Sequence, residues 1–135
     1  MIPVQAAKFD NVMIIDDTEI DIYITSKIIS NNNFGGNILK FSEATLALKY
    51  LQDNQENLPL LPEVILVDIY MPIMTGFEFM DAYDKLPATL KNHCKAFIIS
   101  STGDVRDITR AGNDKNVVAF QEKPITNEFL SKIAP

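Results

Sequence analysis

Four short apolar runs divide the chain, and each of them stops at polar residues. The runs cover residues 12–15, 64–67, 96–99 and 117–120. Short, nearly unbroken runs rich in β-branched residues are typical of strands buried on both faces of a parallel sheet. Residues 37–41 have a weaker pattern of the same kind. The chain is therefore predicted to contain five parallel strands whose carboxyl ends lie along one edge of the sheet, where open α/β sheets bind their ligands.

Amphipathic segments between these strands predict helices, in the order βαβαβαβαβα. The connections are long enough for right-handed crossovers between parallel strands. Residues with capping side chains predict where the helices begin, and two of them have an acidic residue three positions later, as in a capping box. The predicted caps are Thr18 (in a box with Asp21), Ser42, Thr75 (in a box with Glu78) and Thr126.

Helical spacing also predicts which side chains face the sheet. In the first helix, Ile20, Ile24 and Ile28 mark one face, which is expected to be buried. Gly112 predicts the end of the fourth helix, because glycine readily adopts the left-handed backbone of a helix terminus. The other predicted inward positions are Ala44, Ala47, Leu48 and Leu51 in the second helix, and Phe77 and Met80 in the third.

Composition narrows the class of protein. The 135 residues are 47% hydrophobic and 22% charged, which suits one globular domain with a substantial core. A net charge of -6 argues against direct binding of nucleic acid or of anionic lipid. No apolar stretch is long enough to cross a membrane, and residues 1–5 lack the layout of a signal peptide.

Cys94 and His93 are the only residues of their types in the chain. A single cysteine excludes an internal disulfide and favours a reducing, cytoplasmic location. A single histidine excludes most zinc sites and most histidine-based nucleophilic mechanisms. His93 has polar neighbours, which predict a solvated loop.

Three aspartates carry the chemistry of the predicted sheet edge. Asp16 and Asp17 follow the first apolar run, and Asp68 follows the run at 64–67. Brought together, three carboxylates repel one another unless a cation lies between them. Mg²⁺ suits this place because it prefers carboxylate, water and phosphate oxygens as ligands. The sequence therefore predicts a magnesium site that binds phosphate by way of the metal.

The same edge has the groups that phosphoryl transfer needs. A carboxylate can act as a nucleophile and form an acyl phosphate. Lys123, which follows the last apolar run, would balance the charge of a phosphoryl group, and Ser100 would donate a hydrogen bond to one of its oxygens. Positioning and charge neutralisation supply most of the catalysis in such transfers.

Four motifs stand at the ends of the predicted strands. They are Ile14-Ile15-Asp16-Asp17, Val67-Asp68-Ile69-Tyr70-Met71-Pro72 followed by Thr75-Gly76, Ile99-Ser100-Ser101, and Glu122-Lys123-Pro124. In this order they resemble the receiver domain of bacterial two-component response regulators, over nearly the whole chain. The resemblance implies a flavodoxin-like, doubly wound α/β fold with strand order 2-1-3-4-5 and helices on both faces. It also implies a single receiver domain over residues 1–135, with its core at about 10–133 and no output domain.

The resemblance assigns the chemical roles residue by residue. It implies that Asp68 is the aspartate phosphorylated by a histidine kinase and that Lys123 is the cation on the phosphoryl group. It implies that Mg²⁺ is held by Asp17, Asp68 and the backbone carbonyl of Tyr70, while Asp16 acts partly through water. A cis peptide bond between Lys123 and the following proline is also implied.

The resemblance further implies switch positions. Ser100 is the switch hydroxyl, and Phe120 takes the place of the family's rotating aromatic residue. Phe120 has no phenolic oxygen, so a switch there works by packing alone. Tyr70 and Thr102 occupy positions that in the family affect the lifetime of the phosphoryl group.

A receiver domain is a signalling phosphoacceptor rather than an enzyme acting on a separate substrate. The resemblance implies a sensor histidine kinase or a histidine phosphotransfer protein as donor, and a downstream protein target that the sequence does not identify. Phosphorylation would reshape the face made by the fourth helix, the fifth strand and the last helix. Whether the protein forms a homodimer is left open.

Two alternative functions fit the same fold class. One is a small flavodoxin-like protein that binds a cofactor such as a flavin, although acids stand where its phosphate loop would follow the first strand. The other is a receiver-like interaction module that works without phosphorylation. A phosphatase of the haloacid dehalogenase type needs a second aspartate two residues after its nucleophile, and Tyr70 occupies that position.

Overall fold

The computed structural model describes residues 6–135, and five parallel strands form its central sheet. The strands are β1 (Phe9–Ile15), β2 (Gly35–Phe41), β3 (Val64–Asp68), β4 (Lys95–Ser100) and β5 (Val117–Glu122). Their order is β2-β1-β3-β4-β5, which confirms the predicted topology. Residues 1–5, on which the prediction about a signal peptide rests, lie outside the described residues.

Helices connect the strands and cover both faces of the sheet. They are α1 (Glu19–Asn31), α2 (Ala44–Asp53), α3 (Gly76–Asp84), α4 (Ala88–His93), α5 (Val105–Asn113) and α6 (Asn127–Ser131), with a 3-10 turn at Leu58–Leu60 before β3. Over residues 6–135, no helix has both the length and the apolar character needed to span a membrane.

The core consists of two apolar layers, one on each face of the sheet. Neighbouring residues of β1 point to opposite layers: Met13 and Ile15 to one, Val12 and Ile14 to the other. The first layer includes side chains of α2, α3, α4 and α5, and the second includes side chains of α1 and α6. Burial on both sides is why these strands are apolar without alternation.

The first helix turns a different face to the sheet than its isoleucines predict. Ile20 is 60% exposed, Ile24 is 39% exposed, and Ile28 is only partly buried, so that prediction is wrong. The buried residues of α1 are Thr25, Ser26 and Ile29. The buried serine hydroxyl donates to a backbone carbonyl one turn earlier, 2.5 Å away, so its burial leaves no unsatisfied polar group.

Two of the four predicted caps are present. Thr75 and Glu78 form a complete capping box, in which Thr75 Oγ1 accepts from the Glu78 N–H (3.1 Å) and Glu78 Oε1 accepts from the Thr75 N–H (3.0 Å). Thr126 Oγ1 accepts from the Phe129 N–H at 3.0 Å and caps α6.

The other two cap predictions are wrong. Thr18 is the N-cap residue of α1 but makes no capping hydrogen bond with its side chain. Asp16 Oδ1 instead accepts from the Thr18 N–H at 3.0 Å, and the carboxylate of Asp21 pairs with a lysine. The second helix has Glu43 rather than Ser42 at its N-cap, again without a side-chain bond.

Two helix boundaries also differ from the sequence predictions. His93 is the last residue of α4 and is half-buried, so it does not lie in a solvated loop. Six residues are too few for a visible helical period, which is why α4 was not predicted. Gly112 lies inside α5, which ends where Asp114 Oδ1 accepts from the Asn116 N–H (2.9 Å) in a local turn.

Cys94 is buried directly before β4. Burial raises the pKa of its thiol to about 12, so the thiolate is scarce at neutral pH. Within the fold, Cys94 is therefore a packing side chain rather than a reactive thiol.

The capping box at Thr75 allows a direct test of local stability. We expect Thr75→Ala to lower the free energy of unfolding by about 1 kcal/mol, because the Glu78 N–H loses the threonine hydroxyl as its acceptor. Thr18→Ala is the matched control, since Thr18 is an N-cap residue without a capping side-chain bond. Urea denaturation of both variants measures the difference, and equal losses would contradict the importance of the box.

Candidate functional site

The carboxyl ends of four strands bring the predicted site residues to one edge of the sheet. Asp16 follows β1, Asp68 is the last residue of β3, Ser100 is the last residue of β4, and Lys123 follows β5. The Lys123 N–H donates to the Ser100 carbonyl at 2.8 Å, which ties the last two together. The peptide bond after Lys123 is cis, as the resemblance implies.

The three predicted metal ligands lie together. Asp16, Asp17 and Asp68 each place a carboxylate oxygen within 4.8 Å of those of the other two. Asp16 and Asp68 are buried, whereas Asp17 is exposed. This donor set fits Mg²⁺, which binds hard oxygen ligands octahedrally and keeps several waters, so that one open side is needed.

Lys123 is the positive centre of the site. Its ammonium nitrogen lies 2.5 Å from Asp16 Oδ2, 3.0 Å from Asp21 Oδ2 and 3.3 Å from Asp68 Oδ1. Burial alone would lower the pKa of Lys123, but the hydrogen bonds to Asp16 and Asp21 and the nearby Asp68 raise it above its usual value. The lysine is therefore permanently charged.

Asp68 is the carboxylate that burial affects most. Its pKa is raised to about 6, because removal from water disfavours the charged form by more than Lys123 favours it, and Asp16 adds repulsion. Near neutral pH most molecules thus have an ionised, poorly solvated carboxylate, which is the form that acts as a nucleophile.

Gly76 fixes the backbone behind Asp68. A β-carbon at Gly76 would lie 2.2 Å from the Asp68 carbonyl oxygen, so only glycine fits without a shift of the chain. The Gly76 N–H also donates to the Ile69 carbonyl at 2.7 Å. Residues 69–75 consequently form a loop that leaves β3 and returns to it at once.

The predicted switch residues occupy different environments. The Ser100 side chain is fully buried, and its Oγ accepts from the N–H of the exposed Thr102 at 3.3 Å. Phe120 is half-buried and packs against the core. Tyr70 is 56% exposed, and its hydroxyl donates to the carboxylate of Asp107 on α5. The roles of the Tyr70 carbonyl, Thr102 and Phe120 stay predictions.

Two partners in this region were missed from the sequence. Asp21 belongs to the ion-pair cluster of Lys123, whereas its spacing from Thr18 predicted a capping role. Asp107 holds the Tyr70 hydroxyl across 37 positions of sequence. A buried threonine and serine on the α1 face next to Asp21 were the available signal, but the three isoleucines outweighed it.

The family model for the response regulator receiver domain matches residues 12–134 of this chain. This range includes the four motifs and the whole acidic cluster. A search of curated proteins found no match.

Solved structures of similar fold carry related descriptions. A two component response regulator from Cytophaga hutchinsonii is 27% identical with a TM-score of 0.85, and the alignment covers 92% of each chain. A response regulator receiver protein from Dyadobacter fermentans is 28% identical with a TM-score of 0.80, covering 89% of this chain and 91% of that one. The topology of the sheet is thus that of known receiver proteins.

Proposed function

The chain belongs to the response regulator receiver domain family, whose members are signalling phosphoacceptors, and we propose that Asp68 is its phosphoacceptor. The observation that carries the proposal is the placement of Lys123 Nζ 3.3 Å from Asp68 Oδ1, beside two further carboxylates suited to Mg²⁺. The proposed donor is the phosphohistidine of a sensor histidine kinase or of a histidine phosphotransfer protein.

The proposed reaction is one displacement at phosphorus. An Asp68 carboxylate oxygen attacks, the new O–P bond forms, and the P–N bond to the donor imidazole breaks with its electron pair leaving on nitrogen. Lys123 neutralises charge on the transferred oxygens while remaining close to Asp16. Mg²⁺ held by Asp17, Asp68 and the Tyr70 carbonyl, with Asp16 nearby, would neutralise the remaining charge on the phosphoryl group.

The switch is proposed to start at Ser100. In the unphosphorylated chain its hydroxyl oxygen is tied to the Thr102 N–H by a long hydrogen bond of 3.3 Å. The hydroxyl proton is not used in that bond, and a phosphoryl oxygen on Asp68 would accept it in a charge-assisted hydrogen bond, about twice as strong as a neutral one. Ser100 would then move inward, the loop after β4 would follow, and Phe120 would repack.

We propose that the donor docks partly on α1. Ile20 and Ile24 are exposed on this helix, which also supplies Asp21 to the site. Ile24 lines a groove of about 260 Å³ together with Lys123 and Pro124. Exposed apolar residues at the entrance to a buried nucleophile suit a protein that must bring its own reactive group there.

The downstream partner is proposed to be a protein that distinguishes the two states through the face of α5, β5 and α6. The net charge of -6 favours protein rather than nucleic acid as this partner. A cytoplasmic location and the absence of an output domain stay predictions.

The proposal is tested by incubating the purified protein with acetyl phosphate and measuring its intact mass. With Mg²⁺ we expect a gain of one phosphoryl group, which peptide mapping places on Asp68, and without Mg²⁺ we expect none. Beryllofluoride binding, followed by the NMR signals of the loop after Ser100, detects a working site whose phosphoryl group is too short-lived to observe. Phosphorylation at another residue, or failure of both assays, would overturn the proposal.

A further inference from the structure

The strand β2 forms an open edge of the sheet. It pairs with β1 on one side only, so one row of its backbone N–H and C=O groups has no strand beside it in the described part of the chain. Such a row can pair with an extended segment of another protein. The strand at the opposite edge, β5, has a register shift against β4, whereas β2 pairs with β1 without one. With seven residues and no proline, β2 is the edge better suited to receive a further strand.

Little covers the outer side of β2. The side chain of Asn37 turns toward β1, where its Nδ2 donates to Asn11 Oδ1 at 3.1 Å, so it does not cover the open edge. Gly36 is exposed, and a β-carbon there would lie 3.3 Å from the nearest atom, a close contact but not an overlap. Glycine within a strand often marks the close approach of another backbone. Lys40 is the only charged residue of the strand.

A groove lies between this edge strand and α1. Its volume is about 430 Å³, and we call it the edge groove. Tyr23 and Lys27 of α1 and Gly36 and Lys40 of β2 contribute to its lining. The edge groove shares no residue with the groove that contains Lys123. It is therefore separate from the surface through which a phosphodonor would reach Asp68.

The edge groove is cationic in an acidic chain. The chain has 18 acidic and 12 basic residues, yet none of the described residues that line the edge groove is acidic. Lys27 and Lys40 are exposed, and neither is ion-paired within residues 6–135. Lys27 Nζ lies 5.7 Å from the centre of the Tyr23 ring, a cation–π contact that holds the ammonium group at the groove. Two such cations beside an open strand favour a ligand with carboxylates.

We propose that β2 and the edge groove bind an extended acidic segment of a partner protein. The segment would add to β2 as a sixth strand through main-chain hydrogen bonds. Its side chains would alternate between the two faces of the sheet. Carboxylates would pair with Lys27 and Lys40 on the face of the edge groove. Apolar side chains would lie on the other face, where Leu39 and Phe41 are only partly buried.

Charge distinguishes this partner from a second copy of the chain. Pairing of β2 with β2 would place two edge grooves side by side, and each has two lysines and no acidic residue, so the two copies would repel one another. Lysine on an edge strand is a common protection against such self-pairing. The same lysine attracts a strand of opposite charge, so Lys40 favours the acidic partner as well as disfavouring the copy.

The test uses synthetic peptides as probes, without Mg²⁺ or a phosphodonor, so its failure bears on this inference and not on the proposed function. Peptides of about eight residues that alternate valine and glutamate match the length of β2. They are titrated into the chain, and its backbone amides are followed by NMR. We expect the signals of β2 and α1 to shift, and the outward amides of β2 to exchange more slowly with solvent.

Two control peptides separate strand pairing from simple attraction of charge. Alternating valine and lysine keeps the strand pattern but reverses the charge. The glutamate peptide with proline at two central positions keeps the charge but loses the ability to pair as a strand. We expect neither to shift the signals of β2.

Charge reversal in the chain provides matched variants. We expect Lys40→Glu to weaken binding of the glutamate peptide about tenfold, because attraction becomes repulsion, and to allow binding of the lysine peptide. Lys27→Glu should act in the same direction. Lys85→Glu is the control, because Lys85 is exposed at the end of α3, outside the edge groove, and should leave both peptides unaffected. Unchanged signals away from β2 show that each variant is folded.

The other outcomes contradict the inference. Equal shifts with the proline peptide, or with inorganic phosphate, would show that the lysines attract anions without strand pairing. Shifts confined to another surface, or no shift at millimolar peptide, would show that β2 is not a docking edge. Signals of β2 that change with the concentration of the chain alone would identify a second copy as the occupant.

Discussion

Asp68→Asn is expected to accept no phosphoryl group and, at neutral pH without Mg²⁺, to be more stable than the wild-type chain. The first effect follows from loss of the nucleophilic oxygen, since an amide does not form an acyl phosphate. The second follows from burial, which raises the pKa of Asp68 to about 6 from 3.8 despite the nearby Lys123. An ionised carboxylate is thus less favourable in the folded chain than in the unfolded one.

The sign of this effect determines its pH dependence. A raised pKa means that the folded chain holds the Asp68 proton more tightly, so wild-type stability falls as pH rises from about 4 to about 6. Above that range the cost amounts to about 3 kcal/mol. We expect the advantage of Asp68→Asn to approach this value near pH 7 and to vanish near pH 4. Urea denaturation across this range measures it.

An exposed aspartate provides the control for the same substitution. Asp53 pairs with Lys49 at 2.8 Å, and its side chain is 58% exposed. Asp53→Asn should leave both phosphorylation and stability nearly unchanged, because exposed ion pairs contribute little. A stability gain for Asp68→Asn that persists unchanged at pH 4 would show that charge burial is not its cause.

Lys123→Met is expected to destabilise the fold by about 2–3 kcal/mol, since removal of one partner leaves buried charge uncompensated. The carboxylates of Asp16, Asp21 and Asp68 would then face one another with no ammonium group among them. Mg²⁺ should restore part of the stability in the variant, because a divalent cation replaces the lost positive charge. It should not restore the phosphorylated state, which needs a cation on the phosphoryl oxygens as well.

The measurements are urea denaturation with and without Mg²⁺, and intact mass after incubation with acetyl phosphate. Lys132→Met serves as the control, because Lys132, the residue that follows α6, is 72% exposed and pairs with Glu128 four positions earlier. Its stability should change by less than about 0.5 kcal/mol. A comparable small change in Lys123→Met would mean that the buried ion cluster contributes little to folding.

The parts of the fold that the sequence predicts are those set by local periodicity. Buried parallel strands leave unbroken apolar runs, and their polar ends follow directly, so the sheet and the positions of Asp16, Asp68 and Ser100 could be predicted. The capping box at Thr75 could be predicted for the same reason, because all its partners lie within four residues. The strand order and the roles of the site residues came from the resemblance instead.

What could not be predicted depends on contacts between distant segments. Asp21 pairs with Lys123 across 102 positions, and no local pattern shows it. The prediction of which face of α1 is buried was wrong. Apolar spacing predicts a buried face only if the apolar side chains pack within the same chain. Ile20 and Ile24 stay exposed, while Thr25, with a small side chain, is buried. Apolar side chains that bind a partner would have the same helical spacing as those that pack in the core, so spacing alone does not distinguish the two.

The buried thiol of Cys94 allows local opening of the fold to be measured by alkylation of this one side chain. An alkylating reagent has no second cysteine to attack, and it reaches this one only when the segment around β4 opens. Labelling rates in low denaturant therefore report how often the region around Cys94 opens. Ligands that tighten the site, phosphoryl donors included, can be ranked by how far they slow this labelling, with no dye or engineered probe added.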